Sequence, residues 1–144
     1  MNGNSFISWV LRSPLHGFLS DGMMLITFSG QKTGKKYTIP VGYFWKDGCL
    51  WILTSRNRTW WRNLQGGAVV DLLLKRKQVS GFAVTEHDEE NVAELLVVYL
   101  AQIPQAARGL KVQVENGKPN TEDITRLAKE RLFVRVGLAG QCKE

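Results

Sequence analysis

Residues 37–55 constrain the fold more than any other stretch of the sequence. From Tyr37 to Trp45 the side chains alternate. Tyr37, Ile39, Val41, Tyr43 and Trp45 fall on one face, and Thr38, Pro40, Gly42 and Phe44 on the other, which is the period-two pattern of a strand. Lys46-Asp47-Gly48 follows. Asp-Gly favours a two-residue hairpin turn because both central positions need positive φ. Cys49 to Ser55 then returns as an apolar run of strand length. Pro40 removes a ladder donor, so the first strand of this hairpin is expected at a sheet edge, or bulged at that residue.

The rest of the chain extends the pattern. Met23–Ser29 is a glycine-bounded apolar run too short for a helix, and Gly30 to Lys36 is a turn. Residues 69–75 and 79–86 form a second hairpin, with Lys75-Arg76-Lys77 at its tip, and Leu132 to Val136 is a last strand. Phe6, Trp9 and Val10 predict a short helix over Asn4 to Arg12, stopped by Ser13-Pro14. Arg56 to Asn63 leads into one or two helical turns ended by Gly66-Gly67. Asp88 caps a helix to about Gln102 whose apolar face is Val92, Leu95, Leu96 and Tyr99. Thr121 caps another, running to Lys129. The segment from Lys111 to Pro119 has no clear pattern. Strands joined by hairpin links, and not alternating with helices, disfavour a parallel doubly wound sheet. The expected fold is mainly β with α: a small antiparallel barrel of about six strands with helices packed outside. One domain is expected over residues 1–144.

The chain has 144 residues, 44% of them hydrophobic, enough for a core without staples. Its formal charge of +6 is unevenly placed. From Gly30 to Ser80 ten basic residues face two acids, a net of +8. Such a segment calls for an anionic partner: a nucleic acid, an acidic cofactor or a membrane surface. Cys49 and Cys142 make no disulfide framework, so a reduced, cytoplasmic setting is the default. Neither cysteine has metal-ligand spacing with His16 or His87, and no metal site is expected. No apolar run is long enough to span a bilayer, and no signal peptide is recognised at the N-terminus.

Gly30-Gln31-Lys32-Thr33-Gly34-Lys35-Lys36 has the wrong glycine spacing and context for a nucleotide P-loop. It reads either as a solvated basic turn or as an anion clamp built from glycine amides and Lys32. On the following strand Thr38, Pro40 and Gly42 make a shallow face with room for a flat ring. Thr54 to Leu64 interleaves Arg56, Arg58 and Arg62 with Trp60 and Trp61. Arginine suits phosphate or carboxylate, tryptophan offers a stacking wall, and one of the two tryptophans is expected to be structural. Basic plus aromatic also describes single-strand nucleic-acid binding, but no nucleic-acid motif is recognisable. There is no GxSxG elbow. Cofactor-holding groups with little acid–base chemistry suit an enzyme whose cofactor does the reaction.

The run Gly30 to Val41 resembles the G-x-K-[ST]-G-x-x-x-T-x-P motif of the deazaflavin-dependent nitroreductase family. Trp60-Trp61-Arg62-Asn63-Leu64 is similar to that family's W-[YW]-x-N-L. The resemblance implies a split β-barrel like that of pyridoxamine-phosphate-oxidase-type flavoproteins, and a homodimer. It implies hydride transfer from a reduced deazaflavin of the coenzyme F-420 type to a small acceptor: a quinone, a nitro compound or an activated alkene. FMN is the alternative cofactor, and a non-catalytic binder of an anionic cofactor the alternative role. Carried over, Lys32 and the Gly30/Gly34 turn with Thr33 would meet the cofactor's phosphate or acidic tail. Thr38 and Pro40 would lie beside the ring system, Ser55 and Arg56 would contact ring or phosphate, and Trp60 and Asn63 would close the site. No proton donor is assigned. Nucleic acid is not expected as a partner. A membrane-surface contact through the N-terminal helix is a lesser reading than packing on the barrel or on a dimer partner.

Overall fold

The computed structural model describes residues 22–138 and Cys142. The expected N-terminal helix and its membrane reading lie outside the described residues. The chain divides into two compact units. The first runs up to Ile52 and adds Thr59–Thr85 and the chain from Val134 on; the second is Leu53–Arg58 with Glu86–Phe133.

The first unit is a curled antiparallel sheet. Its strands are β1 (Met23–Ser29), β2 (Lys36–Gly42), β3 (Phe44–Lys46), β4 (Cys49–Ser55), β5 (Ala68–Leu74), β6 (Lys77–Glu86) and β9 (Arg131–Leu138), in the order β2-β1-β5-β6-β9-β4-β3. β4 and β9 run on into the second unit. β1 pairs in antiparallel register with β2 (Thr27 with Thr38) and with β5 (Thr27 with Asp71). Its core includes Met24, Ile26, Phe28, Leu50, Ile52, Leu72 and Val136, and the 3-10 helix Trp60–Leu64 adds Trp60, Trp61 and Leu64.

The expected hairpin over residues 37–55 is present, with one change. The strand expected from Tyr37 to Trp45 is broken into β2 and β3, which raises the strand count of this sheet from six to seven. The break falls at Tyr43, whose amide donates to the Gly22 carbonyl at 2.9 Å, one step past the last β1–β2 pair of Met23 with Gly42. Tyr43 and Phe44 are both buried there, so the alternation fails at a corner. β2 is an edge strand, so Pro40's missing donor costs no ladder bond to a strand beyond it. The Asp47-Gly48 turn has both φ values positive, at 55° and 75°. The β5–β6 turn is built the same way from Lys75 and Arg76, at φ 47° and 69°. Side-chain-bearing residues are strained in that region.

The second unit holds α1 (Glu89–Gln102), α2 (Ala106–Gly109), α3 (Thr121–Glu130) and the hairpin of β7 (Val114–Glu115) with β8 (Lys118–Pro119). Asp88 caps α1 by accepting from the Asn91 amide at 3.0 Å. The cap of α3 is Asn120, which accepts from the Asp123 amide, and not Thr121, which is the first helical residue. Among the described residues no helix is long and apolar enough to cross a membrane, and no three His, Cys, Asp or Glu side chains group as metal ligands.

Cys49 and Cys142, from which no disulfide framework was expected, form a disulfide. Ninety-three positions of sequence separation say nothing about distance once β9 lies beside β4 in the sheet. A Cβ on Gly137 would stand 3.1 Å from that of Cys142.

Candidate functional site

The turn between β1 and β2 is shaped by its own backbone. The Gly30 amide donates to the Lys35 carbonyl, and the Gly34 amide to the Gly30 carbonyl, both at 2.8 Å. The Lys35 amide donates to Thr33 Oγ1 at 3.2 Å. The two glycines are there for shape. Gly34 takes φ 71°, and a Cβ on Gly30 would press on the Tyr37 ring at 3.1 Å. This corrects the anion-clamp expectation in one respect: the glycine amides are engaged within the turn, so they are not the donors left for a ligand. Among the described residues the amides of Lys32 and Thr33 and the Lys32 ammonium have no hydrogen-bond partner, and all of them lie on an exposed tip.

The turn is also anchored from outside. The Gln31 amide donates to Asn63 Oδ1 at 3.0 Å, and Gln31 Nε2 donates to the Gln65 carbonyl at 3.2 Å. Asn63 Nδ2 donates to the Trp60 carbonyl at 3.1 Å. One amide side chain therefore fixes its own 3-10 turn and holds the β1–β2 turn beside it. A chain of aromatic contacts lies alongside, stacked between Tyr37 and Phe28 and tilted between Phe28 and Trp60. Tyr37 lies 5.8 Å from Phe28, and Phe28 lies 5.8 Å from Trp60. The Lys35 ammonium sits over Tyr37 at 5.8 Å, and the Arg62 guanidinium over Trp61 at 5.2 Å. Both tryptophans are buried, so both are structural anchors, where one was expected. Thr59 precedes the 3-10 helix but makes no side-chain cap.

Thr38 and Pro40 occupy the other face of β2 from Tyr37. Register puts Thr38, Thr27, Asp71 and Ser80 in one polar row across β2, β1, β5 and β6. Two contacts knit the row: Thr27 Oγ1 and Thr38 Oγ1 at 2.7 Å, and Ser80 Oγ donating to Asp71 Oδ1 at 2.9 Å. Thr27 is buried. Pro40 is exposed beside this row.

Ser55 and Arg56 belong to the second unit. The Arg56 guanidinium donates through one nitrogen to the His87 carbonyl at 2.7 Å and the Ala128 carbonyl at 2.9 Å, while its amide donates to the Glu130 carbonyl. Arg56 thus ties three backbone segments of that unit. Burial pushes the phenol of Tyr43 above its ordinary range, and does the same to Tyr99 against an opposing pull from Arg131. Both stay neutral near pH 7.

The sequence-predicted residues Gly30, Lys32, Thr33, Gly34, Trp60 and Asn63 are brought together. Thr38 and Pro40 share the strand that follows but turn to its other face. Sequence reasoning did not single out Gln31, Phe28 or Tyr37, which hold the group in place, nor Thr27 and Asp71 in the polar row. Asp71 had one available signal: with Asp47 it is one of two acids in the +8 segment.

The F420H(2)-dependent quinone reductase family model matches residues 15–116. Among solved structures, the chain resembles the Agrobacterium tumefaciens protein Atu2129, of unknown function, at TM-score 0.59 and 16% identity over 94% of this chain. It spans 55% of that protein. It also resembles an F420-H2 dependent reductase (FDR-A) at TM-score 0.54 and 17% identity, covering 81% of this chain and 96% of that one. A putative pyridoxamine 5'-phosphate oxidase from Listeria innocua aligns at TM-score 0.54 and 8% identity, over 93% of this chain and 94% of that one. At these identities the structures establish the half-barrel fold. No curated protein matches the chain.

Proposed function

Because the chain belongs to the F420H(2)-dependent quinone reductase family, we propose that it passes a hydride from reduced coenzyme F420 to a quinone, a nitro compound or an activated alkene. Membership makes it an oxidoreductase with F420 as its cofactor. The coenzyme supplies the hydride chemistry, and the protein supplies binding and orientation.

The observation that carries the site reading is the Gln31–Asn63 bond, which presents the Lys32 tip in one position. Lys32, with its own amide and that of Thr33, meets the anionic part of the coenzyme. A charge-assisted contact from a held loop loses little freedom on binding. Thr38 and Pro40, on the open edge of the sheet, offer a hydroxyl and a flat apolar surface to the ring system. Trp60 and Asn63 act as positioning residues behind this surface.

Fluorescence titration with F420 gives saturable binding, and menadione reoxidises the reduced coenzyme anaerobically in the presence of the protein. Lys32→Glu weakens F420 binding at least about tenfold at low salt, and less as salt screens the charge. Failure to bind F420 sinks the reading. Full affinity in Lys32→Glu removes the turn from the site.

The working species is proposed to be a homodimer. Val69 and Phe82 are register partners on the same face as Thr38 and Pro40, and they are 72% and 50% exposed. Apolar pairs left open in this way mark contact surfaces. A structural neighbour at TM-score 0.54 and 15% identity is a domain-swapped dimer. Sedimentation shows a dimer for the native chain and a monomer for Phe82→Glu; a dimer unchanged by that substitution excludes this face.

A further inference from the structure

The second unit contains a cleft that the reductase reading does not use. It lies among α1, α2 and the β7–β8 hairpin and has a volume of about 840 Å³, within the roughly 300–1,000 Å³ typical of small-molecule sites. Its wall is apolar: Val97 and Leu100 from α1, then Val112, Val114 and Pro119. Val97 and Val114 are 44% and 49% exposed, although nothing in a helix or a two-residue strand requires a valine there. Arg108 carries the only formal charge in the lining, and Gln105 is the only other polar side chain.

Two arginines of this unit show what an engaged guanidinium looks like. Arg126 reaches Asp123 and the carbonyls of Leu110 and Lys111, and Arg56 holds two carbonyls. Arg108 forms no side-chain hydrogen bond or ion pair among the described residues. Arg108 is exposed at the edge of this apolar wall, and an unpaired guanidinium there favours a carboxylate, which it can meet with charge-assisted hydrogen bonds. An apolar body is favoured along the rest of the wall by burial. A multiply charged ligand would bury charges without partners.

We propose that this cleft binds an amphiphilic monoanion of the fatty-carboxylate class, its head on Arg108 and its chain along Val97, Leu100, Val112 and Val114. The proposal stands independently of the reductase site.

Calorimetric titration with octanoate, decanoate and 1-octanol, below micelle-forming concentrations, tests it. Octanoate and decanoate bind saturably at one site, and the two added methylenes tighten binding roughly fifteenfold. Arg108→Gln weakens both carboxylates about tenfold, the scale of a charge-assisted contact, and leaves 1-octanol unchanged. Val97→Glu, at an exposed position, weakens all three. If that variant fails to fold, Val114→Glu provides the same reading. Absence of saturable decanoate binding overturns the proposal. So does an equal loss of octanoate and octanol in Arg108→Gln, or full affinity in the glutamate variants.

Discussion

Replacing Cys142 with serine lowers the stability of the protein by about 2–4 kcal/mol, the typical worth of a native disulfide. The bond between Cys49 and Cys142 closes a loop 93 residues long. Chain-entropy reasoning puts the upper end for such a loop near 4.6 kcal/mol at 25 °C. Against a total of about 5–15 kcal/mol for an ordinary domain, this is a large fraction. Cys142 is the better residue to change. Cys49 is 1% exposed, and a serine there would bury a hydroxyl as well as break the bond, mixing two effects. Denaturation midpoints with and without reductant check the prediction. The native protein loses stability in reductant, and Cys142→Ser does not respond to it. A thiol count on the unfolded, unreduced protein gives none. Two titrating thiols, or a midpoint indifferent to reductant, would show that the tail is not stapled. The same count, on protein alkylated at the moment of lysis, reports whether the bond exists where the protein works.

What the sequence made legible was local. The hairpin through Asp47-Gly48 is visible because alternation and turn chemistry agree within nineteen residues. The Asp88 cap and the helix after it are visible for the same reason. The departures were set by partners far along the chain. The corner at Tyr43 shows in the burial of two successive side chains, Tyr43 and Phe44, and the disulfide depends on a cysteine 93 residues away. Arg56 looked like a ligand clamp because composition shows its charge. Its partners are the carbonyls of His87 and Ala128, 31 and 72 residues further on. The cap of α3 failed differently: of two neighbouring polar residues the stronger cap, Asn120, takes the position and Thr121 becomes the first helical residue. The site divides along the same line. Both motifs were readable, but the bond that joins them spans 32 residues, and only the fold shows that Asn63 faces Gln31.

That bond leads to the strongest functional prediction. Asn63→Ala removes an acceptor from the Gln31 amide and a donor from the Trp60 carbonyl. The Gln31 amide left behind is exposed and the Trp60 carbonyl part-buried, so the fold loses about 1–2 kcal/mol. The β1–β2 turn keeps its internal bonds but loses its outside anchor, leaving Gln31 Nε2 on the Gln65 carbonyl as the remaining tie. Lys32 is then carried on a freer loop, and its contact with the coenzyme must order that loop first. The expected result is an F420 affinity at least about tenfold weaker, equal to 1.4 kcal/mol, in a protein that still melts cooperatively. The mechanism makes a sharper demand. If Asn63 acts through the position of Lys32, the two losses cannot multiply. Lys32→Ala and Asn63→Ala together should weaken F420 binding by less than the product of their separate effects, because residues acting through one contact are non-additive. Losses that multiply would assign Asn63 a separate contact with the coenzyme. Unchanged F420 affinity in Asn63→Ala would mean that the tie between the motifs holds the fold and not the site.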